Sequence, residues 1–249
     1  IHYIQRALSE HDGALSGIER GNLRRELADL MRTQNELASA QSHADRAVKL
    51  HENEPIDQAK SLVTLGSVLL QTHDFEEAEK VCRKAYDLFE ETKLDYGKGR
   101  ALQIIGQIRF ELGDDHDAFE SFRQASRQLS AVPDEYAACF LGQAQVALRT
   151  GNLQVADELL SQARQVYDRR LDGAFEPRER ALRLHYYVLK ADEAAAKSTL
   201  NRLREYSSNQ KSHDEELEQM LETAATVAEQ ETNLSAPLSD DIRTLLRAE

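Results

Sequence analysis

The sequence predicts an all-α protein, and three observations support this fold class. Alanine, leucine, glutamate, glutamine and arginine, which favour helix, are frequent, whereas the 249 residues include only four prolines and eleven glycines. No stretch alternates apolar and polar residues between hairpin turns, as the strands of a sheet would. Small residues also recur at a fixed interval, which is typical of a helical repeat.

The recurring small residues form three series that share one period of 38 to 40 residues. Antiparallel helices in a hairpin have axes about 8–10 Å apart, so only glycine or alanine fits where they come closest. We therefore expect each period to be one pair of helices. The series are Ala7, Ala47, Ala85, Ala125 and Ala163; Ala40, Ala78, Ala118, Ala156 and Ala196; and Ala28, Gly66, Gly106 and Ala144.

Larger apolar residues three or four positions apart surround the small ones and predict the individual helices. Proline at Pro55 and Pro133 falls where a first helical turn is expected, a position that proline favours. In one repeat unit the large residues are Leu62, Leu65, Leu69, Phe75, Val81 and Leu88, and in the next they are Leu102, Ile105, Ile108, Leu112, Phe119, Phe122 and Leu129.

The pattern resembles the tetratricopeptide repeat, whose signature is W-x2-L-G-x2-Y followed by A-x3-F. One unit reads Leu62-x2-Leu65-Gly66-x2-Leu69 with Ala78-x3-Cys82, and the next reads Leu102-x2-Ile105-Gly106-x2-Arg109 with Ala118-x3-Phe122. The matches span about residues 22–207, and the long repeats are similar to those of bacterial signalling regulators. The resemblance implies a right-handed superhelical solenoid of antiparallel helix hairpins, with about five repeat units plus terminal helices.

The chain is expected to contain four segments. Residues 1–20 are the remnant of a preceding repeat helix and its turn, and residues 21–210 form the repeat array. Residues 211–232 are the first helix of a further degenerate repeat or cap. Pro237 is expected to break that helix, and Ser239 to cap a short helix within residues 233–249 that links to another domain. An array that begins inside a repeat indicates either a domain cut from a longer protein or a modest N-terminal truncation.

The stretch "DYGKGR" at residues 95–100 brackets a lysine with two glycines, as some phosphate-binding loops do. A true phosphate loop follows a strand and has the frame G-x-x-x-x-G-K-[ST]. Here a helix precedes the stretch, and neither serine nor threonine follows the lysine. The sequence therefore predicts a turn between two hairpins, which acts as a hinge rather than a nucleotide site.

Composition and charge argue against several classes of function. The formal net charge of −13 argues against nucleic-acid binding by this segment. The longest apolar run, "LVTLGSVLL", is far short of the roughly 20 residues that cross a bilayer. Cys82 and Cys139 are too few for a disulfide framework, which favours a reducing compartment and a cytoplasmic location.

No catalytic, metal or cofactor site is predicted. The motifs H-E-x-x-H and G-x-S-x-G are absent from the sequence. Most of the eight histidines fall where helix ends or exposed faces are expected, and Cys82 takes the place of a core aromatic residue. We therefore expect a protein that binds rather than catalyses.

The resemblance implies an inner wall built mainly from the first helix of each hairpin. Basic residues outnumber acidic ones at these positions, although the whole chain is acidic. Arginine and lysine are expected to hold an acidic peptide, glutamines to bond its backbone and apolar residues to contact its side chains. The expected contacts are Arg25, Arg32, Lys60, Leu70, Arg100, Gln103, Gln107, Phe110, Gln145, Leu148 and Arg149. The alternative is that these arginines only solvate the wall.

Three functional interpretations remain open. The first is a non-enzymatic protein- or peptide-binding module, the sensory or scaffolding domain of a larger bacterial signalling or transcriptional regulator. The second is a peptide-responsive regulator similar to Rap proteins and pheromone receptors, and the third is self-association into a homodimer. Docking of chaperone tails is not expected, because Asp29, Thr64 and Ile104 stand where the carboxylate clamp of that family needs asparagine or a basic residue.

Overall fold

The computed structural model describes residues 1–10, 14–169, 177–207, 215–230 and 236–246. Within these residues the chain forms thirteen α-helices, and the predicted all-α class is confirmed. The helices are α1 (His2–Glu10), α2 (Gly17–Thr33), α3 (Leu37–Leu50), α4 (Pro55–Gln71), α5 (Phe75–Glu91), α6 (Asp95–Glu111), α7 (Asp115–Leu129), α8 (Pro133–Arg149), α9 (Leu153–Asp168), α10 (Pro177–Leu189), α11 (Glu193–Ser207), α12 (Glu215–Gln230) and α13 (Ala236–Leu246).

The chain divides into two compact units, Ile1–Ala131 and Val132–Glu249. In unit 1, helices α2 and α3, α4 and α5, and α6 and α7 pair as hairpins, while α3 contacts α4 and α5 contacts α6. In unit 2, α8 pairs with α9 and α10 with α11, and α12 packs on α10 and on α13. The predicted hairpin architecture is therefore confirmed within each unit.

The small residues lie where the helices of each hairpin come closest, as predicted. Ala78 and Ala118 are fully buried. A Cβ atom on Gly66 would overlap the Cys82 sulfur, and one on Gly106 would lie 3.0 Å from the ring of Phe122. In each of these two hairpins, a side chain of the second helix therefore packs directly against a glycine of the first helix, where a larger residue would not fit.

One type of turn connects the helices of every described hairpin. A residue with positive φ follows the first helix, and the residue after it donates a backbone hydrogen bond across the helix end, as Asp74 N does to Leu69 O at 2.9 Å. This is the geometry of a Schellman-type helix end. The residues with positive φ are Asn35, His73, Gly113, Gly151 and Ala191.

The prediction that residues 95–100 form a turn between hairpins is wrong, because helix α6 already begins at Asp95. Gly97 and Gly99 are buried. A Cβ on Gly97 would overlap the ring of Phe89 in α5, and one on Gly99 would lie 2.6 Å from Leu129 Cγ in α7. The two glycines therefore permit close helix packing, and their burial leaves no cradle for a phosphate.

The C-terminal helix also begins earlier than the sequence predicts. Helix α13 begins at Ala236, so Pro237 lies in its first turn and Ser239 lies inside it rather than capping it. Proline is tolerated in a first helical turn, because no intrahelical bond needs its missing N–H there. The predicted boundaries near residues 210 and 232 lie outside the described residues, and the four-segment division stays a prediction.

The close approach at Gly66 predicts a specific loss of stability. We expect Gly66→Ala to lower the free energy of unfolding by about 1–3 kcal/mol, because the added methyl group overlaps the Cys82 sulfur. Chemical denaturation monitored by circular dichroism measures this change. Gly17→Ala is the control, since nothing lies within 4 Å of its Cβ position. In a Cys82→Ala background the Gly66→Ala change should cost less; an equal cost in both backgrounds would contradict the packing account.

Candidate functional site

In unit 1 the first helices of the hairpins form a layer. Helix α2 contacts α4, and α4 contacts α6, whereas within this unit α3, α5 and α7 make no such contacts with one another. We call α2, α4 and α6 the A layer. The predicted wall residues that these three helices carry form what we call the A-layer face: Arg25, Arg32, Lys60, Leu70, Arg100, Gln103, Gln107 and Phe110.

The A-layer face is semi-enclosed rather than fully solvated. All of its residues are partly buried except Lys60, which is exposed. Partial burial suits a binding surface, because each side chain keeps some accessible area while its stem is held by its neighbours. The predicted wall residues of unit 1 therefore lie on one layer of neighbouring helices.

The predicted wall residues of unit 2 differ in exposure. Gln145 is partly buried and Arg149 is exposed. Leu148, which was expected to supply apolar contact, is only 3% exposed and belongs to the core. These three residues are not part of the A-layer face, since they belong to the other compact unit.

Most cations of the A-layer face have partners. Lys60 Nζ donates to Asp57 Oδ1 at 2.9 Å, and Arg32 Nε lies 3.8 Å from Asp29 Oδ1. Arg25, in contrast, forms neither a hydrogen bond nor an ion pair with any described residue, and its Nε is buried without an acceptor. It is therefore the cation of this face whose charge the described structure leaves unmatched.

Asp29, four residues further along α2, is the carboxylate within helical reach of Arg25. Its contacts are with other residues: its Oδ2 accepts a hydrogen bond from Thr64 Oγ1 at 3.1 Å, and its Oδ1 lies 3.8 Å from Arg32 Nε. Arg25 makes no ion pair with Asp29, and its Nε has no acceptor among the described residues.

Near the C-terminal ends of α2 and α4, two further buried polar atoms lack hydrogen-bond partners among the described residues. They are Arg32 Nε and Gln71 Oε1. Buried polar atoms are nearly always satisfied in folded proteins, and an unsatisfied group is a natural place for a bound water or ligand. Together with Arg25 they make the α2–α4 part of the face the candidate binding site.

The absence of a carboxylate clamp follows from the same contacts. Asp29 and Thr64 are hydrogen-bonded to each other, and Ile104 is buried. None of the three presents a free amide or cation. The A-layer face therefore differs from the chaperone-binding pattern at these three positions, and the expectation that chaperone tails do not dock stays a prediction.

Sequence reasoning missed the ion pairs that join successive helices. Arg109 donates from Nε to Glu79 Oε1 at 3.2 Å and from Nη1 to Asp114 Oδ2 at 3.1 Å, which joins α6 to α5 and to the following turn. In unit 2, Arg183 Nη1 donates to Asp157 Oδ1 at 2.6 Å and its Nε to the buried Glu179 at 3.3 Å. The sequence did contain a signal for the Arg109 contacts, because an arginine stands there where the repeat signature has tyrosine.

Among the residues that the structure describes, two histidines and both cysteines are buried. His51 Nδ1 lies 2.9 Å from Ser61 Oγ and its Nε2 lies 3.2 Å from Ile18 O, so this ring joins α2 to α4. His185 is buried in α10. Most histidines were expected at helix ends or on exposed faces; His51 does lie at the end of α3 although its ring is buried, and His185, inside α10, is an exception. Cys82 and Cys139 are not disulfide-bonded, and burial raises the pKa of Cys82 to about 12, which keeps it protonated and unreactive.

The described residues contain no group of three or more His, Cys, Asp or Glu side chains placed to bind a metal ion. None of the described helices combines the length and the apolar character that a membrane span requires.

Stacked helix hairpins with small residues at their contacts define a helical-repeat protein. Residues 57–131 match the family model described as tetratricopeptide repeat. These residues therefore carry tetratricopeptide repeats, which confirms the resemblance seen in the sequence. No curated protein matches the chain by sequence.

Several solved structures share the fold. Aspartyl phosphate phosphatase F from Bacillus subtilis superimposes with a TM-score of 0.77 at 16% identity, covering 99% of this chain and 64% of that one. A Rap protein complexed with competence and sporulation factor gives 0.77 at 12% identity, with 99% and 67% covered. Kinesin light chain repeats from Podosopora anserina give 0.59 at 14% identity, with 75% and 93% covered. This chain thus spans less than two thirds of the phosphatase, and at these identities the likeness is one of fold.

The burial of His185 predicts a dependence of stability on pH. Burial lowers the pKa of His185 to about 4, whereas an unfolded histidine titrates near 6.5. Between these values only the unfolded chain gains the proton, so stability is lost as the pH falls from about 6.5 towards 4. We expect His185→Gln to reduce this loss by roughly 2–3 kcal/mol in urea denaturation at successive pH values. His73→Gln, at an exposed histidine, is the control; equal pH slopes for the two variants would contradict the assignment.

Proposed function

We propose that the chain is a non-enzymatic protein- or peptide-binding module whose A-layer face holds an acidic segment of its partner. The observation that carries this proposal is the unmatched guanidinium of Arg25 on a partly buried helical surface. A carboxylate of the partner would supply the acceptors that Arg25 lacks among the described residues, and charge-assisted hydrogen bonds to arginine are among the stronger ones in proteins.

The surroundings of Arg25 suit a peptide rather than a single ion. Leu70 and Phe110 offer partly exposed apolar surface on the neighbouring helices α4 and α6. Gln103 lies on α6 two turns before Phe110, and Gln107 donates to Glu111 at 2.9 Å while its carbonyl oxygen is available as an acceptor. Grooves that recognise peptide segments combine a charged anchor, apolar contacts and amide groups, and this surface offers all three. Arg100 and the unit 2 residues Gln145 and Arg149 stay predicted contacts, and the proposal does not depend on them.

The wider role that we propose is the sensory or scaffolding part of a larger bacterial signalling or transcriptional regulator, acting in the cytoplasm. A second candidate, a peptide-responsive regulator, is favoured by the fold shared with a Rap protein that was crystallised with competence and sporulation factor. Both candidates place recognition on the repeat surface and require no catalytic group there.

Charge reversal tests the proposed site. We expect Arg25→Glu to weaken binding of acidic peptides about tenfold or more, because a charge-assisted hydrogen bond is replaced by repulsion. Peptides are selected on an array of short sequences graded in Asp and Glu content, and their affinities are then measured by fluorescence anisotropy.

Lys84→Glu is the matched control, since it makes the same change of charge at an exposed position on α5. Its affinities should equal those of the unmodified chain, and thermal denaturation should show both variants folded. Equal losses for the two variants, or a lack of preference for acidic peptides, would refute the proposal.

A further inference from the structure

Three large apolar side chains of unit 1 are exposed at one equivalent position of three successive repeats. Ile18, Ile56 and Tyr96 are 39%, 40% and 46% exposed. Each precedes the central small residue of its repeat, Ala28, Gly66 or Gly106, by ten residues. We call these three side chains the apolar row. Isolated exposed apolar residues are common on protein surfaces, but a recurrence in register indicates a shared role.

The apolar row lies at one edge of the A layer. Its members are the second residues of α2, α4 and α6. The backbone beneath the row is firmly held, since Ile18 O lies 3.2 Å from His51 Nε2 and Gly97, next to Tyr96, packs against Phe89. The exposure of these side chains therefore belongs to a well-packed part of the fold and not to a frayed end.

The spacing of the row fits an α-helix laid across it. Helix α2 contacts α4, and α4 contacts α6, so from the usual 8–10 Å between the axes of packed helices we infer a spacing of about that size between row members. An α-helix presents side chains along one stripe every seven residues, which is about 10.5 Å. A strand repeats on one face every two residues, or about 6.6 Å, which does not match.

The charges beside the row favour a basic partner. Glu52 and Glu54 in the turn before α4, and Glu91 at the end of α5, are exposed and have no ion pair with any described residue. Asp57 and Asp95 are matched by Lys60 and Lys98 at 2.9 Å. Lys93 is the one lysine or arginine in the two turns that lead into α4 and α6. Around these two turns, the three unmatched carboxylates therefore outnumber the single lysine.

We propose that the apolar row is a second interaction surface, which binds a cationic amphipathic helix of a partner protein whose apolar residues lie seven apart. The partner helix lies across α2, α4 and α6, with apolar side chains against Ile18, Ile56 and Tyr96 and with lysine or arginine facing Glu52, Glu54 and Glu91. This proposal does not depend on Arg25, because it rests on other residues and on the opposite sign of charge.

A designed peptide provides the probe. It is an alanine-, lysine- and glutamine-rich helix of about 21 residues with leucines seven residues apart, and its comparison peptide has the same composition with the leucines redistributed around the helix. Fluorescence anisotropy measures binding at low and raised salt. We expect the heptad peptide to bind more tightly than the redistributed one, and its binding to weaken as salt screens the glutamates.

Matched variants of the full chain complete the test. Ile18→Gln, Ile56→Gln and Tyr96→Gln combined should weaken binding of the heptad peptide about tenfold or more. Tyr3→Gln, Leu30→Gln and Leu112→Gln combined change the same number of exposed apolar residues of unit 1 away from the row, and should leave binding within about twofold. Arg25→Glu should not weaken it, which separates this surface from the A-layer face.

Four results would overturn the proposal. They are equal affinity for the two peptides, equal losses for the two triple variants, no binding of the heptad peptide at millimolar concentration, and self-association of the unmodified chain that the row variant abolishes. The last result, measured by analytical ultracentrifugation, would show that a second copy of this chain covers the row. Circular dichroism and thermal denaturation confirm that each variant is folded.

Discussion

The close approach of two helices at a position without room for a side chain is the constraint on which the rest of the structure depends. At Gly66 the Cys82 sulfur occupies the place of a Cβ atom, and at Gly106 the Phe122 ring leaves little space for one. Such a contact fixes both the separation of the two helices and their relative rotation, because a large side chain fits only where its small counterpart faces it. Once the hairpins are fixed, the outward-facing residues of their first helices are held in a constant register.

Contacts between hairpins extend this constraint through unit 1. Gly97 and Gly99 bring α6 against Phe89 and Leu129, and Arg109 joins α6 to Glu79 of α5. These contacts hold α4 and α6 side by side, so that Leu70 and Phe110 occupy equivalent places on neighbouring helices. The A-layer face is thus a consequence of how its helices pack against the second helices of the hairpins.

The sequence predicts the parts of the fold in which one residue type has one physical role. Ala78 and Ala118 are buried at hairpin contacts, because an alanine that recurs with a fixed period marks the place where two helices touch. The prediction for residues 95–100 failed because glycine serves two purposes, a turn or a close approach, and the sequence does not distinguish them. The turn is made instead by Lys93, a non-glycine residue with a φ of 56°.

For the candidate site, the sequence predicts which helices carry the cationic residues, but it does not predict which of these residues lacks an internal acceptor. The repeat register placed Arg25, Arg32 and Lys60 on the first helices, where the structure has them. Whether an arginine joins two helices or keeps a free charge depends on acceptors from other helices, as Arg109 illustrates by bonding Glu79 thirty residues earlier. Arg25 stays unmatched among the described residues, whereas Asp29 on the same helix accepts a hydrogen bond from Thr64 of the next helix. Arg25 thus differs from Arg109, a cation that the fold uses to join its own helices, and a partner's carboxylate would meet little internal competition at Arg25.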